Sequence, residues 1–330
     1  MPSRRTFLTG TIAVLTAPHA PSAWPQDKAG GRVFRLGMLD MEPAAANAAN
    51  LVQFQKGLKE LGYTEGRNLT TDYRAESRSE RLPELAAKLV RAKVDVIVTR
   101  GTPATVAAKN APDNIPVVAA GIADPVDTKV VERLERPGGK VTGLAFLVKE
   151  VEQKRIDLLR ALAPGRKRVV ALIDMGNPAL AQTWKLTEEA ARAAGLQAEL
   201  VDVRRVEDVQ KAFDTATTKH RAEALIVRLG GIADAPRRAV VDLAARHKLP
   251  AIYASRQFVD AGGLVSYGVS APFLYYRAAF FVDKIFKGAN PAELPMERPS
   301  KFELIVNRKA LRDLGLTLPP DLLLRSDEIV

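Results

Sequence analysis

An arginine, a glycine and a threonine interrupt the stretch VDVIVTRGTPATVAAK (94–109), and their types suit anion binding. The run from Val94 to Val98 is rich in β-branched residues, which predicts a buried strand, and helix-forming residues follow the break. Thr102 is placed to be the N-cap and Pro103 the first residue of that helix. Free N–H groups at a helix start favour an anion, and Gly101 would let it approach the backbone. The residues fit either an anion-binding turn or an ordinary capped turn.

The same arrangement occurs twice in the chain. The two copies are VIVTRG…NIPVVAA, between residues 96 and 120, and LIVRLGG…KLPAIYA, between 225 and 254. In each, a strand ends in Arg, Gly follows, a helix crosses back, and Ile-Pro or Leu-Pro opens the next strand. Arg100 and Arg228 therefore occupy equivalent places, beyond the carboxyl ends of strands, where open parallel sheets bind ligands. The repeat indicates two similar α/β lobes rather than one large sheet.

The elements that must position these residues alternate regularly from Val33 onward. Stretches with helical periodicity, such as 47–61 and 80–92, separate short β-rich runs, which predicts parallel sheets covered on both faces. The predicted strands are 33–39, 69–74, 94–99, 115–120, 141–146, 168–173, 197–203, 222–227, 250–253, 263–267 and 302–306.

The amino-terminal residues are predicted to be an export signal and a leader. SRRTFLTGTIAVLTAPHAPSA combines Arg4 and Arg5 with an apolar region of about a dozen residues, too short to span a bilayer of about 30 Å. It resembles a twin-arginine signal, Ser-Arg-Arg-x-Phe-Leu, although an amphipathic first helix is the alternative. Residues 1–23 are expected to be cleaved, at one of two imperfect small-residue sites, and 24–32 to be flexible.

Composition argues against several function classes. Without Arg4 and Arg5 the formal charge falls from +11 to +9, but the basic residues are scattered and lack interleaved aromatics, so nucleic acid is not expected. The chain has no cysteine, which excludes disulfides and thiolate chemistry. Its three histidines are far apart, and no P-loop, dinucleotide or Gly-x-Ser-x-Gly motif occurs. We therefore expect no enzyme, no cofactor and no metal.

Longer stretches of the chain resemble one known family. They are GTPATVAAKNAPDNIPVVAAGIADPV (101–126), RPGGKVTGLAF (136–146), LAARHKLPAIYASRQFVDAGGLVSYG (243–268), YYRAAFFVDKIFKGANPAELPMERPSKFELIVN (275–307) and LGLTLPPDLLLRSDEIV (314–330). The chain resembles the ABC-transporter substrate-binding family, whose members include a tryptophan- and tyrosine-type amino-acid binder. The likeness covers nearly all of 33–330.

The resemblance implies a type I periplasmic-binding-protein fold. This is an α/β fold of two doubly wound, Rossmann-like lobes that are joined by a three-strand hinge and trap a small molecule between them. The chain is expected to cross between lobes near 146–149, 268–272 and 298–302. The expected lobes are 33–146 plus 272–298, and 147–271 plus 299–330.

The resemblance also implies a set of ligand-binding residues at strand ends and crossings. Gly101 and Thr102 match the family's Gly-Thr-Pro turn and would hold a carboxylate or another oxygen. Arg228 stands where many members have a Pro-rich or Asp-containing turn, so it would select, with Arg100, a ligand more acidic than a neutral amino acid. Alternatively both arginines pair with nearby carboxylates such as Asp234, or reach solvent. The full set is Asp40, Met41, Arg100, Gly101, Thr102, Asp124, Phe146, Asn177, Arg228, Tyr253 and Tyr267.

Other members of that set have alternatives that the sequence leaves open. Asp40 could contact the ligand or be a solvated turn residue, and Asp124 could pair with an ammonium or cap a helix. Phe146 could stack on the ligand or pack in the core. Asn177 is expected to cap the next helix at the cleft. Of the two tyrosines, Tyr253 offers a hydroxyl and a ring face, and Tyr267 is expected to support the hinge.

The predicted function is therefore a periplasmic, monomeric solute-binding protein of an ABC uptake transporter. An amino acid or an aromatic or dicarboxylic acid would bind between the lobes, and hinge closure would present the closed form to a permease in the inner membrane. A ligand-sensing subunit for a membrane signalling receptor is the alternative. The effector core of a transcription regulator would need an amino-terminal pair of DNA-binding helices, where this chain has its signal and leader.

Overall fold

The computed structural model describes residues 31–146, 148–229 and 237–330. The predicted signal peptide (1–23), most of the predicted leader (24–32) and Asp234 lie outside the described residues. Within the described ranges, no helix has the length and apolar character that a membrane crossing requires.

Twelve strands in the described residues form two sheets. They are β1 (Phe34–Asp40), β2 (Leu69–Ala75), β3 (Val96–Thr99), β4 (Val117–Ala123), β5 (Val141–Phe146), β6 (Arg168–Ile173), β7 (Gln197–Asp202), β8 (Ala224–Arg228), β9 (Ala251–Tyr253), β10 (Val265–Val269), β11 (Phe302–Val306) and β12 (Glu328–Ile329). The first sheet has the order β2-β1-β3-β4-β5 and is wholly parallel. The second has the order β12-β11-β10-β9-β8-β6-β7, in which only β10 and β11 are antiparallel.

Helices cover both faces of each sheet. They are α1 (Ala48–Glu60), α2 (Leu82–Arg91), α3 (Gly101–Asn110), α4 (Val148–Leu162), α5 (Pro178–Ala193), α6 (Asp208–Asp214), α7 (Arg237–Arg246), α8 (Arg256–Asp260), α9 (Ala271–Phe286), α10 (Arg308–Asp313) and α11 (Pro320–Arg325). Helices α1 and α9 cover one face of the first sheet, and α2 and α3 cover the other. Helices α4 and α5 lie on one face of the second sheet, and α6 to α8 lie on the other. The predicted fold of two doubly wound α/β lobes is confirmed.

The buried strands are apolar at successive positions, without alternation of polar and apolar residues, because both of their faces are buried. In β3, Val96 and Val98 join the core beneath α1 and α9, whereas Ile97 joins the core beneath α2 and α3. Successive side chains point to opposite faces of a strand, so a sheet covered on both faces requires apolar residues at every position. Polar residues can therefore occur at the carboxyl ends of such strands, where the cover of the helices ends.

The sequence-based helix start at Thr102 and Pro103 was wrong. Helix α3 begins at Gly101, and Arg100, which is extended (φ −123°, ψ 128°), occupies the N-cap position. Gly101 has a φ of +77°, a conformation that glycine adopts without steric cost, and its carbonyl accepts a hydrogen bond from the Thr105 hydroxyl (2.8 Å). The helix therefore starts two residues earlier than its capping pattern indicates.

The chain passes between the two sheets three times. Strand β5 is followed by α4 of the second lobe, and β10 is followed by α9, which packs against α1 of the first lobe. Glu297 then pairs with β5, because its amide donates to the Gly143 carbonyl (2.8 Å) and its carbonyl accepts from the Ala145 amide (2.9 Å). Strand β11 follows in the second sheet. The strand ends of both sheets and the three crossings contain the candidate site residues.

Candidate ligand-binding site

Asp40, at the carboxyl end of β1, is the centre of a saturated hydrogen-bond cluster. Arg100 donates to both of its oxygens, with Nη2 to Oδ1 at 2.7 Å and Nε to Oδ2 at 3.2 Å. The hydroxyl of Tyr275 and the amide of Asn47 donate to Oδ2 at 2.7 and 2.9 Å. Burial opposes ionisation of Asp40, but Arg100 and these donors outweigh it and hold the pKa of Asp40 below its ordinary value. Asp40 is thus a buried anchor rather than a solvated turn residue.

Arg100 is held by two carboxylates of the β1 end. Besides Asp40, its Nη2 lies 3.2 Å from Oε2 of Glu42. Arg100 therefore pairs with nearby carboxylates, and its partners are Asp40 and Glu42. Met41, between them, is buried in the core on the α2 and α3 side, and its amide donates to Asp40 Oδ1 (2.7 Å).

Glu42 also connects the two lobes. Its Oε1 accepts a hydrogen bond from Nη2 of Arg237 at 2.8 Å, and Arg237 is the first residue of α7 in the second lobe. Both side chains are at least three-quarters buried, with exposed fractions of 6% for Glu42 and 24% for Arg237. This ion pair places the β1 end of the first lobe directly against the second lobe.

Arg228, at the carboxyl end of β8, belongs to a second buried cluster. Its Nη1 donates to Oε1 of Glu152 at 2.7 Å, and Arg155 Nη1 donates to the same oxygen at 2.5 Å. The Thr187 hydroxyl donates to Glu152 Oε2 at 2.8 Å. Burial lowers the pKa of Arg228 to about 10, so the guanidinium remains charged at neutral pH. Arg228 therefore also pairs with a carboxylate, that of Glu152.

Three buried side-chain atoms within the described ranges have no hydrogen-bond partner: Oε2 of Glu42, Oγ1 of Thr102 and Nε of Arg228. They lie at or just after the carboxyl ends of β1, β3 and β8, in both sheets. Glu42 Oε2 keeps its ionic contact with Arg100 Nη2. Buried polar atoms are nearly always paired, so unpaired ones at strand ends indicate groups that can receive a ligand.

Asp124 and Phe146 meet at the first crossing. The amide of Asp124 donates to the Phe146 carbonyl (3.1 Å), and the Val148 amide donates to Asp124 Oδ1 (3.3 Å). Asp124 adopts a left-handed φ of +40°, and burial raises its pKa. Its carboxylate also attracts Arg228 of the second lobe. Phe146 is half-buried, close to the bulge that Gly121 makes in β4.

The three remaining candidates, Asn177, Tyr267 and Tyr253, lie in different environments. Asn177 directly precedes α5, and its carbonyl accepts from the Leu180 and Ala181 amides, both at 3.0 Å. Tyr267 is half-buried and stacks on Phe302 with 6.0 Å between ring centroids. Tyr253 is buried in the core beneath α7 and α8, stacked on Phe258 at 4.9 Å. The structure therefore separates the Tyr253 ring from the clustered strand-end residues.

Sequence reasoning missed Glu42, Glu152, Arg155 and Arg237. A signal existed for two of them, because Glu152 and Arg155 lie on the face of α4 that is otherwise made of Val148, Val151, Ile156 and Leu159. Charged residues that share a helix face with apolar residues are buried when that face packs against the core. Buried charges need partners of opposite charge. No pattern marks Glu42 or Arg237, since their contact spans 195 residues.

Comparisons with known proteins agree with this architecture. A tyrosine-binding protein of Clostridioides difficile (strain R20291) is 24% identical over 264 residues, which are 80% of this chain and 75% of that protein. The structure of an ABC domain in complex with L-Trp from Streptococcus pneumonia superimposes with a TM-score of 0.83 at 25% identity, covering 90% of this chain and all of that one. The ligand-free, open structure of CD0873, a substrate-binding protein from Clostridium difficile, gives a TM-score of 0.66 at 24% identity, covering 90% and 99%.

The family comparison covers most of the sequence. Residues 44–330 match the family described as ABC transporter substrate binding protein. Two α/β lobes joined by three crossings, with polar residues at strand ends of both sheets, are an architecture that suits binding of a small molecule. The chain belongs to the ABC transporter substrate-binding protein family.

Proposed function

We propose that this chain is the exported solute-binding protein of an ABC uptake transporter and that it captures a small carboxylate-bearing ligand between its lobes by hinge closure. The observation that carries the proposal is a trio of buried atoms that have no hydrogen-bond partner among the described residues, Glu42 Oε2, Thr102 Oγ1 and Arg228 Nε. Of these, Glu42 Oε2 has an ionic contact with Arg100. Each leaves a hydrogen bond unmade, at a cost of about 1–3 kcal/mol that a bound ligand would offset.

The chemistry of these atoms supports a ligand with a carboxylate and a hydrogen-bond donor. Arg228 Nε is a donor that suits a carboxylate, whereas Glu42 Oε2 is an acceptor that suits an ammonium or hydroxyl group. Thr102 Oγ1 can both donate and accept. An amino acid meets these requirements, and an aromatic or dicarboxylic acid meets the requirement of Arg228. Binding requires no bond to be made or broken, so we propose no enzymatic activity.

Two relatives suggest which ligands to test first. The C. difficile relative is named for tyrosine, and the S. pneumonia structure contains L-Trp. The case for a dicarboxylate is weaker because Arg100 is occupied by Asp40 and Glu42. We therefore place aromatic amino acids ahead of dicarboxylates.

Closure of the hinge is supported by two observations. The ion pair between Glu42 and Arg237 joins the two lobes at 2.8 Å. The TM-score is 0.83 against the L-Trp complex but 0.66 against the ligand-free, open structure, although the two relatives are about equally similar in sequence. The described conformation thus resembles the ligand-bound one.

Transport in the periplasm is the corresponding cellular role. The proposed partner is an ABC permease in the inner membrane, reached after cleavage of a twin-arginine signal in residues 1–23. A ligand-sensing subunit for a membrane receptor would use the same binding step. Reconstituted permease whose ATPase rate rises with the ligand-loaded protein would favour transport.

The test is a thermal-shift screen of the mature protein with aromatic amino acids, aromatic acids and dicarboxylates, followed by calorimetry. A ligand present at about 100 times its Kd is expected to raise the free energy of unfolding by about 2.7 kcal/mol. Small-angle scattering with and without that ligand then measures closure. A screen in which no compound of these classes raises the melting temperature would refute the proposal.

A further inference from the structure

The cluster around Glu152 contains more positive than negative charge in a place almost without solvent. Its ionic members are Glu152, Arg155 and Arg228, with exposed fractions of 0%, 4% and 7%. Among these three described groups, two guanidiniums and one carboxylate leave an excess of one positive charge. Buried charges are normally paired, because an unpaired one costs several kcal/mol.

Within the cluster, both oxygens of Glu152 accept hydrogen bonds. Its Oε1 accepts from both arginines and its Oε2 accepts from Thr187. Burial opposes ionisation of Glu152, but Arg228 and Arg155 outweigh it and hold its pKa below the ordinary value. The carboxylate is therefore ionised and both of its oxygens accept hydrogen bonds, whereas Arg228 Nε has no hydrogen-bond partner among the residues that the structure describes.

The side chain of Arg155 has a second partner, in strand β10 near the hinge. Its Nε donates to the carbonyl of Tyr267 in β10 at 2.8 Å, and Gly268 beside it leaves space for the guanidinium. Since Arg155 has both Glu152 and Tyr267 as partners, the unmet requirement of the cluster belongs to Arg228. Asp124 of the first lobe also attracts Arg228, and its Oδ1 accepts a hydrogen bond from the Val148 amide (3.3 Å).

We propose that Glu152 is a positioning residue that holds Arg228 through Nη1 at the end of β8, leaving Nε and one buried positive charge for a carboxylate of the ligand. On this view the second lobe is incomplete until an anionic group enters. The inference rests on the proposed function, which it deepens by assigning the ligand's carboxylate to the second lobe. The ligand's donor group is then left for Glu42 and Thr102 of the first lobe.

The first test needs no ligand and uses the melting temperature of the full mature chain. Arg228→Met removes the excess charge and leaves Glu152 paired with Arg155, so Tm is expected to rise by about 2 °C. Glu152→Gln keeps the side-chain shape but increases the unbalanced charge, so Tm is expected to fall. Arg168→Met, at the opposite end of the neighbouring strand β6, is the matched control and should change Tm little because Arg168 is 43% exposed.

The second test compares L-tyrosine with tyramine, which differs only by lacking the carboxylate. Wild type and Arg168→Met are expected to prefer L-tyrosine, whereas Arg228→Met should raise the Kd of L-tyrosine about 30-fold or more and leave that of tyramine nearly unchanged. In Glu152→Gln, the increase in Tm on adding L-tyrosine should exceed that of wild type. A merely structural Glu152 would lower the free and bound Tm equally.

The outcomes separate this inference from the proposed function. A ligand-free Arg228→Met protein that melts below wild type, or one that still prefers L-tyrosine over tyramine, overturns the assignment of the carboxylate to Arg228. If neither probe shifts the Tm of wild type, the proposed aromatic amino-acid ligand is wrong, and the ligand-free order of Tm values still decides the inference.

Discussion

At the scale of single residues, the first lobe depends on how Asp40 and Arg100 neutralise each other. Arg100 donates to both oxygens of Asp40, and Asp40 is 2% exposed. A buried pair contributes little compared with an apolar substitute, but the loss of one partner leaves a buried charge that nothing balances. The pair therefore keeps the β1 and β3 ends in fixed positions, next to the unpartnered Glu42 and Thr102 atoms.

Replacing Asp40 with asparagine is expected to lower the free energy of unfolding by about 3 kcal/mol, because Arg100 would keep only Glu42 as a counter-charge. Urea denaturation measures the change. Asp72→Asn is the control, since its pair with Arg74 is about one-third exposed on both sides, and it should cost about 1 kcal/mol or less. Equal losses in the two variants would contradict the role of Asp40 as a buried anchor.

Asp40 should also make the free energy of unfolding depend on pH. The pKa of Asp40 is lower in the folded protein than its ordinary value of about 3.9, so its ionic stabilisation is fully present above pH 4. The stabilisation is lost as pH falls below 4 towards the folded pKa. The difference in unfolding free energy between wild type and Asp40→Asn is thus expected to shrink between pH 6 and pH 3. A difference that stays constant over this range would disprove the pKa shift.

At the scale of elements, β10 joins the binding clusters to the hinge. Its Tyr267 carbonyl accepts from Arg155, and its next residue, Gly268, lies where the chain leaves for α9. A Cβ on Gly268 would lie 2.6 Å from the Ala254 carbonyl oxygen and 3.4 Å from Arg155 Nη2. Backbone cannot move away as a flexible side chain can, so only glycine fits this position.

Gly268→Ala is accordingly expected to lower the free energy of unfolding by about 2 kcal/mol, through displacement of β10 from β9. Chemical denaturation followed by circular dichroism gives the value. Gly139→Ala is the matched control, because nothing lies within 4 Å of its added Cβ, and it should change stability by less than about 0.5 kcal/mol. Gly268→Ala with the stability of wild type would mean that the strands are less closely packed than described.

At the scale of the whole molecule, the two lobes carry complementary charge where they meet. At the end of β1, the first lobe has Asp40 and Glu42 with one arginine, Arg100, so this group of three side chains has an excess of one negative charge. Arg237 of the second lobe meets that excess at Glu42. Opposite charges on facing lobes favour closure, and the attraction weakens with salt where the pair is partly exposed.

Arg237→Ala is expected to favour the open form, which small-angle scattering would detect as a larger radius of gyration of the ligand-free protein. The affinity for a ligand identified by the screen should fall about 2- to 5-fold, since a partly exposed pair contributes about 0.5–1 kcal/mol. Arg238→Ala is the control, because the partner of Arg238 among the described residues is Asp242 of its own helix. Identical scattering of the two variants would show that the Glu42–Arg237 pair does not hold the lobes together.

The sequence by itself determined the elements and the places where function could arise. Apolar runs such as Val96 to Val98 follow from burial on both faces of a sheet, and the repeat around Arg100 and Arg228 follows from two similar lobes. These are local properties, since the periodicity of a strand or helix depends on residues that are close in sequence. The turn chemistry was less reliable, as α3 begins at Gly101 and not after a Thr102 cap.

Only the tertiary structure decided which charges meet. Arg100 reaches Asp40 across 60 residues, Arg228 reaches Glu152 across 76, and Arg237 reaches Glu42 across 195. It also decided that Tyr253, although it ends a strand, points into the core beside Phe258. Pairing over such separations depends on the order of strands in the sheets and on the contact between the lobes, and no local sequence pattern encodes either. Each pairing decides whether a charged group stabilises the fold or is available to a ligand.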